Sequence, residues 1–194
     1  MAITVLLIVI PDGYALFTFR TFRSSLHGET GSGKSESRCL AIKAILELSV
    51  SNPGKKGSKL ASQVPAADFV LESFGNARTL FNCNTSRFGK YTELQFLDCG
   101  RLTPAKILEY YLEKIRVAGA PSGEQNFHIF YYLVAGASQE ERARLHLNDK
   151  TQYQYLGQWP GVTAPRGGTA RDDDSLRFEQ LKAALKTIRF SIWQ

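Results

Sequence analysis

Gly28-Glu29-Thr30-Gly31-Ser32-Gly33-Lys34-Ser35 fits the pattern GxxxxGK[ST] at each constrained position. A loop that wraps a phosphate must turn its backbone N–H groups inward. It therefore needs glycine where φ is positive or where backbone passes close to oxygen. Lys34 supplies a point charge for the terminal phosphates of a nucleotide, and the Ser35 hydroxyl is a ligand for Mg²⁺. The helix that Ser35 opens turns its positive end toward an anion. The bland alternative is a glycine-rich turn capped by Ser35, but such a turn has no use for a lysine directly after Gly33.

The residues on either side supply part of the context this motif needs. Downstream, Ser35 to Leu48 places Ile42, Ile45 and Leu46 on one face, which predicts an amphipathic helix. Upstream, a phosphate loop is expected to follow a buried strand, yet Phe22-Arg23-Ser24-Ser25-Leu26-His27 is only weakly apolar. The run MAITVLLIVI at residues 1–10 is apolar but far short of the roughly 20 residues of a membrane span. A buried strand is the favoured reading, a secretory signal the weaker one, since no Lys or Arg precedes the run.

Further along, Pro65 predicts the first turn of a helix carrying Phe69, Val70 and Phe74 and ending at Gly75. Ser138-Gln139-Glu140-Glu141 reads as a capping box. Phe178, Leu181, Leu185 and Ile188 form a stripe, with Lys182 and Lys186 off it, that predicts a core-facing helix. Thr92, Leu94 and Phe96 alternate with polar residues and predict a strand. Asp98-Cys99-Gly100 then turns it into a second strand over Ile107 to Leu112. Residues 51–59 and 157–174 read as loops. Helices and strands around a phosphate loop predict an α/β domain.

Composition narrows the function classes. The 194 residues carry a net charge of +6, and 43% are hydrophobic, which fits a folded domain with an anionic ligand or partner. Three cysteines without a CxxC pair argue against a disulfide framework or a zinc site. His27, His128 and His146 show no metal-ligand spacing. The lysines cluster in one loop without interleaved aromatics, so nucleic acid is not an expected partner.

A second polar constellation, Asn82-Cys83-Asn84-Thr85-Ser86-Arg87-Phe88-Gly89-Lys90, reads alone as a loop before a strand with Arg87 and Lys90 solvated. Beside a phosphate loop, its amides, hydroxyls and arginine suit a sensor of the γ-phosphate. Here a resemblance becomes specific. GETGSGKSES is similar to the GESGAGKTES loop of myosin heads. Residues 82–90 resemble the myosin switch I pattern NxNSSRFGK, with Thr85 in place of the first serine. LESFGNART (71–79), YYLEKIRV (110–117) and GEQNFHIFYYL (123–133) resemble matching head segments in the same order. Kinesins share part of the switch I pattern but not this series. From Gly28 to Gly157 the chain most resembles the myosin-like N-terminal domain of fungal chitin synthases, and the likeness resumes at 175–190.

The resemblance implies a partial P-loop NTPase domain of the myosin head type, a mixed sheet with flanking helices, incomplete at both ends. In that reading residues 1–27 are not family-like, 28–157 hold the phosphate loop and switch I, 158–174 form a loop, and 175–194 form a C-terminal helix. It implies ATP and Mg²⁺ as ligands. Gly28, Glu29, Thr30, Gly31, Ser32, Gly33, Lys34, Ser35 and Glu36 would cradle the nucleotide with Asn82, and Ser35 and Ser86 would join the metal shell. Lys34, Thr85, Ser86 and Arg87 would take part in the chemistry, Thr85 near the attacking water and Arg87 paired with a switch II glutamate. The sequence contains no DxxGFE segment for that glutamate, so weak or absent hydrolysis is expected from this chain alone. Lys55, Lys56 and Lys59 fall where myosins carry a variable surface loop. Actin is the implied partner of the intact family, with a cytoplasmic, cytoskeletal location. A membrane location is implied only where such a head is joined to a chitin synthase. The alternatives are a non-catalytic interaction remnant of such a protein and another kind of P-loop NTPase.

Overall fold

The computed structural model describes residues 4–9, 21–26, 32–49, 57–95, 105–148, 153, 156 and 168–189. The chain divides into two units, one of residues 1–66 and 86–112, the other of 67–85 and 113–194.

The first unit is built on a four-stranded mixed sheet. Its strands are β1 (Thr4–Val9), β2 (Thr21–Leu26), β5 (Gly89–Gln95) and β6 (Lys106–Tyr110), in the order β2-β1-β5-β6. β1 runs antiparallel to β2, with Thr4 opposite Leu26, and parallel to β5, with Thr4 opposite Lys90. The apolar N-terminal run thus takes an interior position in the sheet. β2, which leads toward the phosphate loop, is an edge strand. An edge strand has a neighbour on one side only and tolerates polar residues, which accounts for its weakly apolar sequence. β5 and β6 form the expected hairpin, with Lys90 opposite Glu109. The expected turn at Asp98–Gly100 lies outside the described residues.

Two helices cover this sheet. Helix α1 (Lys34–Ser49) buries Ile42 and Leu46, one turn apart on a single face. They meet Val64 from helix α2 (Gly57–Gly75) and Leu94 from β5, with Ala41, Ile45, Leu60 and Ala105 packed around them. Burying each large side chain contributes about 1.5–3 kcal/mol. α2 starts eight residues before Pro65, and so corrects the expected start there. A proline inside a helix removes one backbone bond and costs about 3 kcal/mol. The burial of Leu60 and Val64 on the preceding two turns offsets that loss. Lys90 corrects its solvated reading. It shares the inward face of β5 with Thr92 and Leu94, is 4% exposed, and lies 5.3 Å from the Phe88 ring centre.

The second unit is helical. α3 (His128–Gly136) and α5 (Gly168–Thr187) pack against the second half of α2 through Phe178, Leu181 and Leu185, flanked by Phe69, Val70, Ile129, Tyr132 and Leu133. At Gly136 an added Cβ would stand 2.5 Å from the Phe178 Cβ, so only glycine lets α3 and α5 approach this closely. α5 begins at Gly168, seven residues before the expected helix. α4 (Gln139–Arg144) carries the expected capping box: the Ser138 Oγ accepts from the Glu141 N–H and the Glu141 carboxylate accepts from the Ser138 N–H. Two short strands not foreseen in the sequence, β3 (Asn76–Ala77) and β4 (Thr85–Ser86), form a ladder where the chain passes from one unit to the other. Among the described residues no helix is long and apolar enough to cross a membrane.

Leu181 is 1% exposed at the centre of the second core. Leu181→Ala is expected to lower unfolding free energy by about 2–5 kcal/mol, read by urea denaturation of the helical signal.

Candidate functional site

Gly33 sits at φ 81° immediately before α1, in the left-handed region. A side chain there would meet nothing within 4 Å, so the need for glycine is conformational and not steric. The Gly33 carbonyl accepts the first helical bond, from the Ser37 N–H at 2.9 Å. Lys34 and Ser35 therefore occupy the first turn, where N–H groups have no partner within the helix and the dipole favours an anion. Both are half-buried, while Ser32, Gly33 and Glu36 are exposed. The Lys34 Nζ donates to the Ser32 Oγ at 3.4 Å. This helix start, with a lysine and a hydroxyl in its first turn, fits the chemistry of a nucleotide phosphate with Mg²⁺. Gly28, Glu29, Thr30 and Gly31 lie outside the described residues.

The second constellation is divided. Ser86 and Arg87 belong to the same unit as Lys34 and Ser35, whereas Asn82 and Thr85 belong to the helical unit. Asn82 organises its own loop. Its Oδ1 accepts from the Asn84 N–H at 3.0 Å, its carbonyl accepts from the Thr79 N–H at 2.9 Å, and its N–H donates to the Thr79 Oγ1. Thr85 is 6% exposed, and its hydroxyl shares a 3.0 Å bond with that of Thr79. Ser86 donates its hydroxyl hydrogen to the Phe88 carbonyl at 2.9 Å. Arg87 is half-buried.

Sequence reasoning missed Asn84 and Asn76 and weighed His128 only as a metal ligand. The Asn84 Oδ1 accepts from the Asn76 Nδ2 at 2.8 Å and meets the His128 Nε2 at 3.1 Å. An amide oxygen only accepts, so the imidazole carries its hydrogen on Nε2. No spacing rule links residues 44 positions apart; the available signal was two amides flanking Cys83. Asn84 and His128 also line a cleft of about 470 Å³ within the helical unit, with Arg78, Arg177, Glu72 and Tyr132. The His128 and Tyr132 rings stack 5.6 Å apart at 10°. Burial, with the Arg177 and Arg78 guanidiniums, lowers the His128 pKa to about 4. Burial, with Asp174 and Glu72, raises the Tyr132 phenol against the opposing pull of Arg177.

Behind the cleft, Arg116 is 1% exposed and fully engaged. Its Nε donates to Glu113 at 2.9 Å, one terminal nitrogen to the Gln125 carbonyl at 2.9 Å, and the other to Glu124 at 2.7 Å. The Gln125 N–H in turn donates to the Arg78 carbonyl, and Phe127 bridges Ala77. A buried charge is tolerated because carboxylates and a carbonyl surround it.

The family model described as Myosin head (motor domain) matches residues 25–193. The chain is 55% identical over 164 residues to chitin synthase 8 of Mycosarcoma maydis and 52% identical over 165 residues to chitin synthase 5 of Cryptococcus neoformans, covering 84% of this chain in each case. It is 37% identical over 172 residues, 87% of the chain, to myosin-VIIa of Drosophila melanogaster. The matched stretch spans 8% of the length of each of these three relatives.

The His128 shift has a pH consequence. Its pKa falls from 6.5 in the unfolded chain to about 4 in the fold, so its contribution is fully present above pH 6.5 and is lost as pH falls toward 4. Lowering the pH through that window is expected to remove up to about 3 kcal/mol. His128→Gln, which cannot titrate, should flatten this part of the stability profile, measured by urea denaturation at pH 7 and pH 4.5.

Proposed function

Because this chain belongs to the myosin head (motor domain) family, we propose that it binds Mg·ATP through residues 28–36, with Asn82 and Ser86 contributing from the second loop. The observation that carries this reading is the start of α1: a left-handed Gly33 followed by Lys34 and Ser35 in the first helical turn. Lys34 would hold the β- and γ-phosphates. Ser35 and Ser86 would offer hydroxyl oxygens to Mg²⁺, and Ser86 can do so while donating its hydrogen to Phe88. Held by these hydroxyls, Mg²⁺ would supply positive charge against the phosphate oxygens. Thr85 and Arg87 take their roles from the family pattern, Thr85 near the attacking water and Arg87 toward an acidic switch partner. The longer relatives are named as myosins and as chitin synthases, and from these names we propose actin as partner, with a cytoskeletal location, or a membrane location where a synthase domain follows.

A second reading, a module that binds a protein partner and no nucleotide, draws on the inward-turned Thr85 hydroxyl. Thermal unfolding separates the two. At 100-fold excess over Kd, a nucleotide adds about 2.7 kcal/mol, which raises Tm by roughly 5–10 °C for a chain of this size. Mg·ATP is expected to raise Tm in the wild-type chain, and Lys34→Ala to abolish the rise. No shift in the wild type would favour the second reading.

A further inference from the structure

We propose that His128 is a positioning residue for the second nucleotide loop, holding Asn82–Thr85 in shape through the Asn84 side chain; as a statement about nucleotide, this rests on the function proposed above. An exposed asparagine on a loop is ordinarily free to sample several rotamers, and fixing it costs on the order of 1 kcal/mol. Asn84 is exposed, yet both its backbone and its side chain are held. Its N–H donates to the Asn82 Oδ1, and its own Oδ1 receives Asn76 and His128 from two directions. The two lone pairs of one amide oxygen are thereby used.

The two donors stand on firm ground. Asn76, the first residue of β3 directly after α2, is 1% exposed. The amide meets the loop through its Nδ2–H, with the nitrogen 2.8 Å from the Asn84 Oδ1. His128 is the first residue of α3, and its ring is stacked on Tyr132 one turn later. The loop therefore inherits its geometry from α3, which is packed in turn on α5.

The remaining loop bonds close around this point. Asn82, which accepts from the Asn84 N–H, also bonds to Thr79 and Thr85, so the clamp on Asn84 is continuous with the bonds of the turn. Loss of the His128 donor would leave the Asn84 side chain held by Asn76 alone and remove its bond to α3. The imidazole keeps its Nε2 hydrogen whether neutral or protonated, so the clamp itself does not open with pH. Arg177 and Arg78 bear on the charge of that ring, and Glu72, Asp174 and Tyr132 line the same cleft, whereas the bond to Asn84 depends on the Nε2 hydrogen alone.

The test uses two substitutions in the full chain. His128→Phe keeps an aromatic ring to stack on Tyr132 but removes the donor. His128→Gln returns an N–H near the Nε2 position. Amide hydrogen exchange over residues 80–86, without nucleotide, is expected to quicken about tenfold in His128→Phe and to return to the wild-type rate in His128→Gln, while exchange over 178–188 stays unchanged in both. Mg·ATP affinity should weaken about tenfold in His128→Phe and recover in His128→Gln. Unchanged loop exchange in His128→Phe, or no recovery in His128→Gln, overturns the inference. If His128→Phe does not fold, Asn84→Leu against Asn84→Asp poses the same question from the loop side, since aspartate keeps the acceptor and leucine does not; equal exchange in that pair also overturns it. A wild-type chain that binds no Mg·ATP overturns the proposed function, and the exchange measurements still decide whether His128 holds the loop.

Discussion

The contact of Ile42 and Leu46 with Leu94 is the constraint on which the first unit depends. Leu94 is fully inaccessible, and it lies on a strand paired on both sides. Two residues one turn apart on α1 cannot both reach it unless the helix lies in one rotation about its axis. That rotation determines which way the first turn of α1 points, and so where the Lys34 ammonium and the Ser35 hydroxyl are presented. The apolar core thus aims the polar end of the helix. A helix start held by packing needs little reorganisation when an anion arrives, which is how preorganised dipoles gain their strength.

The helical unit solves a different problem. Arg116, Asn126 and Asn76 are each about 1% exposed, which is unusual for such polar residues. Arg116 is matched by two carboxylates and a carbonyl. Asn126 donates to the Val117 carbonyl and accepts from the Phe127 N–H, and its own N–H donates to the Tyr131 hydroxyl. These bonds tie down the segment from Glu113 to Phe127, which has little regular structure. Such a network is costly when incomplete, because a buried donor or acceptor stripped of its partner loses about 1–3 kcal/mol. The segment therefore delivers His128 to a fixed place, and sequence periodicity gives no hint of it.

What was legible in the sequence follows from this contrast. Elements defined by local periodicity or local capping were readable: α1 from Ile42, Ile45 and Leu46, α4 from Ser138 and Glu141, the α5 stripe, and the β5–β6 hairpin. The left-handed Gly33 and the helix start at Lys34 were readable because the GxxxxGK[ST] pattern places them at fixed offsets. Features decided by distant partners were not. The early start of α2 depends on Leu60 and Val64 finding Ile42 and Leu94, and proline propensity at residue 65 pointed the other way. The burial of Lys90 depends on strand alternation beside Thr92 and Leu94, which overrode the usual exposure of lysine. The Asn84–His128 bond joins residues from opposite ends of the unit, and no single-sequence rule addresses it.

The two hydroxyls of the second loop differ in what their bonds leave over. Ser86 gives its one hydrogen to the Phe88 carbonyl and keeps its lone pairs, which are what a hard cation requires. Thr85 is engaged on both counts, bonded to the Thr79 hydroxyl and donating to the Asn82 carbonyl at 3.3 Å. To donate its hydrogen to a water, Thr85 would have to give up its bond to the Asn82 carbonyl, at about 1 kcal/mol. The loop is thus already suited to contributing a metal ligand, while positioning a nucleophile demands rearrangement. Binding and hydrolysis therefore make separate demands on these few residues, and a chain that satisfies the first need not satisfy the second.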